Sequence, residues 1–198
     1  MLSVVVQAGG QSRRMGRDKG LVPFAGQPLI KRVVERLASL GDEILVTTNR
    51  PQDYRFLGLP LIGDLLPGQG ALGGLYTALS AASQPLVAVV ACDMPFASQA
   101  LLAAARDRLL NSNDDVVMPQ SLEGLEPLHA VYRRATCLPV VEAALRDGRR
   151  RMISWLDLVE THIMLPDVVQ QFDPAGRIFI NLNTPQELAE AEHFAMGE

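Results

Sequence analysis

A chain of 198 residues with 48% hydrophobic and 20% charged residues is long enough to bury a sizeable core and too apolar to be disordered over most of its length. Its net charge of −4 argues against a general basic surface for nucleic acid. No apolar run approaches the roughly 18 residues of a membrane span. The two cysteines and three histidines lack zinc-site spacing, and Cys92, at the end of an apolar run, reads as a buried thiol. With no leader before the first strand, a reducing cytoplasm is the expected setting.

The elements alternate along the chain. Ser3–Val6 is a short β-branched run broken by a glycine pair, the pattern of a strand buried on both faces. Leu29, Val33, Leu37 and Leu40 recur at helical spacing over 28–40, and Gly41 stands where a helix stops. Strands are predicted at 43–47, at 61–62 and, most apolar of all, at 86–92, which belongs at the sheet centre. Small residues over 71–82 form a helix, and Ser98 caps another that runs to about Leu110. A strand follows at 116–118. Strands at 129–132, 162–165 and 178–180 and a helix over 137–146 complete a looser second half. Thr184, Pro185 and Glu187 form a capping box for a last helix ending near Ala195. The order predicts one α/β domain, a Rossmann-like three-layer α/β/α arrangement with a mostly parallel central sheet. A nucleotide-binding half covers about 1–110 and an acceptor-binding half about 111–198.

Ligands of open parallel sheets bind at the carboxyl ends of strands. Those ends are polar or glycine-rich here. The first carries Gln7, Ala8, Gly9 and Gly10, then Arg13, Arg14, Arg17 and Lys19. Glycines let backbone N–H groups approach phosphate oxygens, and the cations offset triphosphate charge; a tight turn with a solvated basic face is the plainer reading. No Gly-Lys-Ser/Thr follows, so this is not a Walker loop. Asp93 ends the central strand and is the natural magnesium ligand, unless it only caps a helix. Asp64 ends the short third strand, as a base acceptor or a turn residue. Thr47 and Asn49 end the second. The run Arg149–Arg150–Arg151, with Glu126–Pro127–Leu128–His129, is placed to hold a second anionic substrate or is simply solvated. His193 reads as solvent-facing and Trp155 as packing. Gly68-Gln69-Gly70-Ala71-Leu72-Gly73 matches the dinucleotide fingerprint, with Asp93 about 20 residues on. An NAD-linked oxidoreductase would follow, but the strand before it is poor and the first basic loop would have no role.

Taken together, Gln7-Ala8-Gly9-Gly10, Arg14-Met15-Gly16, Asp18-Lys19, Gly70-Ala71-Leu72-Gly73-Gly74-Leu75, Cys92-Asp93-Met94-Pro95, Glu126-Pro127-Leu128 and Asn181-Leu182-Asn183-Thr184-Pro185 resemble, in order, the motifs of the nucleotidyltransferases that act on the molybdenum cofactor. The resemblance spans nearly the whole chain. It implies a nucleotide-diphospho-sugar transferase-like fold and transfer of a nucleotidyl group to molybdopterin with release of pyrophosphate. Members that use CTP usually show Ala-Ala-Gly where this chain has Ala8-Gly9-Gly10, which implies GTP; a CTP-dependent or other-acceptor enzyme is the alternative.

Carried over by position, Gln7, Ala8, Gly9, Gly10 and Gly70 lie in the nucleotide motifs, and Ala8 and Gly9 contact the nucleotide. Lys19 and Arg14 serve the phosphates, Asp64 the guanosine, and Asp93 with Asn183 the magnesium. Arg150, Pro127 and Asn181 lie toward the acceptor. Gln7 stands where the family has leucine, and Thr47 where it often has asparagine, so either Thr47 or Asn49 makes the base contact. The resemblance leaves room for partner proteins that deliver the cofactor, or molybdoenzymes that receive it.

Overall fold

The structure, a computed structural model, describes residues 1–9, 18–182 and 184–195. Gly10 to Arg17, with Arg14, and Asn183 lie outside the described residues. In chain order the elements are β1 (Leu2–Gln7), a 3-10 turn at Lys19–Leu21, the hairpin β2 (Pro23–Phe24) and β3 (Gln27–Pro28), α1 (Leu29–Leu37), β4 (Glu43–Thr47), α2 (Pro51–Tyr54), β5 (Leu61–Ile62), α3 (Gly70–Ala81) and β6 (Leu86–Ala91). Then come α4 (Gln99–Leu110), β7 (Val116–Pro119), β8 (His129–Arg133), α5 (Arg134–Arg146), β9 (Thr161–Met164), α6 (Pro166–Gln170) and α7 (Pro185–Ala195).

Seven strands form one sheet in the order β5-β4-β1-β6-β8-β7-β9. β1 is parallel to β4 and β6, β4 to β5, and β7 to β9. β8 alone is reversed, antiparallel to both β6 and β7. Side chains alternate across a strand, so each central strand feeds two cores. Val4, Val6, Ala88 and Val90 pack with Ile30, Val33 and Leu37 of α1 and with Leu101, Leu102 and Ala105 of α4. Val5, Val87 and Val89 pack with Leu72, Leu75 and Leu79 of α3 and with Val141 and Ala144 of α5. This is the expected three-layer α/β/α sandwich.

Local chemistry accounts for the helix starts. Ser98 Oγ accepts from Leu101 N–H at 3.2 Å, capping α4. At α7, Thr184 N–H donates to Glu187 Oε2 at 2.9 Å and Glu187 N–H to Thr184 Oγ1 at 3.2 Å, the two halves of a capping box.

The structure corrects three expectations. Residues 178–180 are not a strand. Ile178 N–H donates to Asp173 Oδ2 at 2.6 Å, Ile180 N–H to Arg177 O, and Phe179 stands edge-on to His129. Ile178 and Phe179 are apolar because they pack on the α1/α4 core, and Ile180 because it packs with Phe24, Leu29 and Phe96. α5 begins at Arg134, three residues before the expected start, because Arg134 N–H is taken by Pro85 O and the chain turns directly out of β8. Gly41 does not cap α1, which already ends at Leu37. It is needed by close approach instead. A Cβ there would lie 2.7 Å from Leu2 O, 3.0 Å from Val4 Cγ2 and 3.1 Å from Glu43 O. Two of these neighbours are backbone, so Gly41→Ala is expected to cost about 2 kcal/mol and to lower the melting temperature by about 5 °C, read by calorimetry.

Candidate active site

The carboxyl ends of β1, β4, β5 and β6 open on one edge of the sheet. Gln7 lies in register with Thr47 on one side and Ala91 on the other. Ala8 N–H continues the ladder to Thr47 O at 2.8 Å, and Cys92 N–H to Gln7 O at 3.0 Å. Gln7 lies on the α3 side, its amide beside Gly74, and among the described residues the buried Nε2 has no hydrogen-bond partner. Gly9 has neither a positive φ nor a described neighbour within 4 Å of a built Cβ. Among the described residues nothing requires glycine at this position.

Lys19 and Asp93 meet across this edge. Lys19 Nζ lies 3.0 Å from Asp93 Oδ2, with side chains 26% and 16% exposed. Lys19 leaves the 3-10 turn after β1. Asp93 follows β6, and its backbone carbonyl accepts from Leu182 N–H at 3.2 Å. That bond brings Asn181 beside Asp93.

At the ends of β4 and β5, Asn49 Nδ2 donates to Asp64 Oδ2 at 2.6 Å and Asp64 N–H donates to Asn49 Oδ1 at 3.0 Å. Asn49 is exposed and Asp64 half-buried, whereas Thr47 is buried between its neighbouring strands. Asn49, not Thr47, presents a side chain in company with Asp64.

Pro127 lies in the loop entering β8. Leu128 O accepts from Ala91 N–H at 3.0 Å and Pro127 O from Tyr132 Oη at 2.7 Å, so this loop sits at the carboxyl end of β6. Burial raises the pKa of the neighbouring Glu126; a hydrogen bond with Ser121 opposes this and the charge of Glu123 adds to it. His129 is fully buried. Its Nε2 accepts from Ser98 N–H at 2.9 Å, and burial pushes its pKa down to about 4.

Gly70 and Arg150 meet at the start of α3. Gly70 has φ +67°, and a Cβ there would lie 3.1 Å from Arg150 O. Arg150 O also accepts from Leu72 N–H at 3.2 Å. Arg150 Nη1 donates to Leu145 O at 2.9 Å and Arg149 O at 2.7 Å, capping α5. Backbone conformation and packing therefore account for Gly70 without a ligand, and the Arg150 guanidinium is engaged with the end of α5. Trp155 is buried, with Nε1 donating to Met152 O at 2.9 Å, and His193 is exposed.

The dinucleotide fingerprint fails on topology. It follows β5, a two-residue edge strand, while Asp93 ends β6, three strands away across β4 and β1. At the spacing of paired strands that separates them by about 14 Å, whereas the fingerprint needs neighbours.

Sequence reasoning missed Tyr54. It is buried at the end of α2, and its hydroxyl donates to Asp18 Oδ1. One apolar-aromatic position on a four-residue helix leaves no periodicity to find; Pro51 at the helix start was the available signal.

A mostly parallel α/β/α sheet with a lysine–carboxylate pair and a second carboxylate at its strand ends is an arrangement suited to nucleotidyl transfer. The chain belongs to the MobA-like NTP transferase domain family, whose model matches residues 4–162. The molybdenum cofactor guanylyltransferase of Vibrio cholerae is 36% identical over 95% of this chain and 90% of its own length. That of Desulfosudis oleivorans is 33% identical over 95% and 93%. Among solved structures, molybdopterin-guanine dinucleotide biosynthesis protein A from Archaeoglobus fulgidus superposes with a TM-score of 0.85 at 26% identity, covering 99% of this chain and 100% of that one. 4-Diphosphocytidyl-2C-methyl-D-erythritolsynthase from Anaerococcus prevotii, at 12% identity and a TM-score of 0.73 over 98% and 96%, shares the fold alone. Among the described residues no helix is long and apolar enough to cross a membrane.

Proposed function

We propose that this enzyme transfers GMP from GTP to the molybdopterin form of the molybdenum cofactor, giving the guanine dinucleotide cofactor and pyrophosphate. The observation that carries the chemistry is the 3.0 Å Lys19–Asp93 pair at the ends of β1 and β6. The relatives' names supply the acceptor and the base.

A terminal phosphate oxygen of molybdopterin forms a bond to the α-phosphorus of GTP. The bond from that phosphorus to the α–β bridging oxygen breaks, and pyrophosphate leaves with its electron pair. The attacking oxygen is already anionic, so no general base is needed. Positioning and charge neutralisation dominate such reactions. Lys19, released from Asp93 by an incoming triphosphate, places its ammonium against the phosphate oxygens, with Arg14 as a second cation. Asp64, held by Asn49, accepts hydrogen bonds from the donor groups of guanosine. Gln7, Ala8 and Gly9 form the floor beneath the nucleotide, and Gly10 belongs to the same motif in sequence. Pro127 and Asn181, brought beside Asp93 by the β6–β8 ladder and the Leu182 bond, flank the acceptor.

The donor set suits magnesium. Asp93 offers a hard carboxylate oxygen, and among the described residues no group of three His, Cys, Asp or Glu gathers into a cage. One or two carboxylates plus substrate phosphates are how magnesium is usually held. Asp93 would hold the ion, and Asn183 is the second ligand the family resemblance implies; bound there, magnesium would supply positive charge against the phosphates.

A thermal-shift panel of GTP, CTP, UTP and ATP, each with magnesium, tests the base. A nucleotide at 100 times its Kd stabilises by about 2.7 kcal/mol. GTP is expected to give the largest shift. A larger shift with CTP overturns the guanylyl assignment, and pyrophosphate release with molybdopterin tests the acceptor.

A further inference from the structure

We infer that Tyr54 is a positioning residue for Lys19, acting through Asp18; this rests on the nucleotidyl-transfer reading of the site. Lys19 carries a long side chain whose rotamer freedom costs up to about 2 kcal/mol to freeze. Its usefulness depends on how well the backbone beneath it is held. That backbone is a single 3-10 turn, Lys19–Leu21, entered through Asp18.

Asp18 Oδ1 is the anchor. It accepts from Gly20 N–H at 3.2 Å, capping the turn, and from the Tyr54 hydroxyl. Tyr54 reaches it from α2, after the neighbouring strand β4, and is fully buried. The hydroxyl keeps its proton, since burial and then the Asp18 hydrogen bond both raise its pKa. It is therefore a fixed donor to the one carboxylate oxygen that caps the lysine turn.

Gly20 shows how closely the parts fit. A Cβ there would lie 2.8 Å from Tyr54 Oη, 3.3 Å from Tyr54 Cε1 and 3.4 Å from Cys92 Sγ. Cys92 immediately precedes Asp93. The turn bearing Lys19 is thus pressed between the tyrosine ring and the strand end bearing its partner. The Asp18–Tyr54 bond ties the β4 side of the crevice to the lysine, and the Lys19–Asp93 pair ties the lysine to β6.

The test is a double-mutant cycle on pyrophosphate release with GTP, magnesium and molybdopterin. Tyr54→Phe keeps the ring and loses the hydroxyl. Folding intact by calorimetry, it is expected to lose about tenfold in kcat/KM, the value of one hydrogen bond to a charged group. In a Lys19→Ala background the same change is expected to have less than about a twofold effect, because the group it positions is gone. Asp18→Ala is expected to repeat the loss, and Asp18→Asn to recover most of it, since an amide oxygen still accepts both bonds. That pair carries the test if Tyr54→Phe fails to fold. Wild-type kinetics in folded Tyr54→Phe, or an undiminished tenfold penalty on top of Lys19→Ala, overturns the inference alone. Wild-type activity in Lys19→Ala overturns both it and the phosphate role assigned to Lys19.

Discussion

An Asp93→Ala protein is expected to fold normally and to release pyrophosphate about 100- to 1,000-fold more slowly than the parent. The size is that of removing one preorganised electrostatic contact to a transition state. The fold survives because the structural work at this position is done by the backbone: Asp93 O accepts from Leu182 N–H whatever the side chain. The side chain is partly exposed and its ion pair with Lys19 is partly solvated, so its loss costs stability no more than about 1 kcal/mol. Asp93→Asn, which keeps the shape and drops the charge, is expected to be nearly as slow. Lys19→Ala is expected to lose a similar factor, and the double variant little more than either single one, because groups that act as a unit are not additive. The readout is kcat for pyrophosphate release at saturating GTP and magnesium, with the melting temperature as the control. Near-normal turnover in a well-folded Asp93→Ala protein would sink the assignment of Asp93 to magnesium.

His129 sets the second large effect, on stability. Its Nε2 accepts from Ser98 N–H, so the ring's own proton sits on the buried Nδ1. Phe179 stands edge-on to the ring with centroids 5.7 Å apart. Protonating Nε2 would place a donor against a donor in a site that water does not reach. Burial accordingly lowers the pKa from 6.5 to about 4. In the unfolded chain the same histidine protonates near 6.5. Between about pH 6.5 and pH 4 the unfolded state takes up a proton that the native state refuses. Stability therefore falls as pH drops through that window and levels off for this group below it, by a total of about 3 kcal/mol. Urea unfolding at pH 7.5, 6, 5 and 4.5 measures the slope. Carboxylates titrate near the lower end, so the comparison is with His129→Gln, whose amide oxygen can still accept from Ser98. A His129→Gln protein with the parent's slope removes histidine from the account. The bond also anchors the first turn of α4, which follows the Asp93 segment, so acid loosening would begin next to the site.

Much of the fold was legible because its signals are local or periodic. β6 announced itself as six successive apolar residues, Leu86–Ala91, and lies inside the sheet where both faces are covered. The capping box at Thr184 and Glu187 and the cap at Ser98 could be read because a short side chain and a backbone N–H three residues on are all they need. Ile178–Phe179–Ile180 misled for the complementary reason. Buried apolar residues look alike whether a sheet or a crossing loop buries them, and the pairing partner that would distinguish them lies far off in sequence. The reversal of β8 was equally unreadable, since strand direction leaves no mark on a five-residue strand.

At the site, the chain alone determined which residue types sit after which strands: Gln7 to Gly9 after β1, Asn49 after β4, Asp64 after β5, Asp93 after β6. For parallel strands this suffices to put them on one edge, because every carboxyl end points the same way. Tertiary structure alone decided which of them meet. It paired Lys19 with Asp93 over a separation of 74 residues and Asn49 with Asp64, and left Thr47 between strands. It turned the Arg150 guanidinium to the carbonyls at the end of α5 and put two strands, β4 and β1, between β5 and the strand that ends at Asp93. It also set Tyr54 beneath the turn that carries Lys19, a contact 36 residues apart that no spacing encodes. The physical reason is common to all of these. Strand order and helix docking are settled by burying two apolar faces of one sheet, and polar side chains at its rim meet the neighbours that this burial brings them.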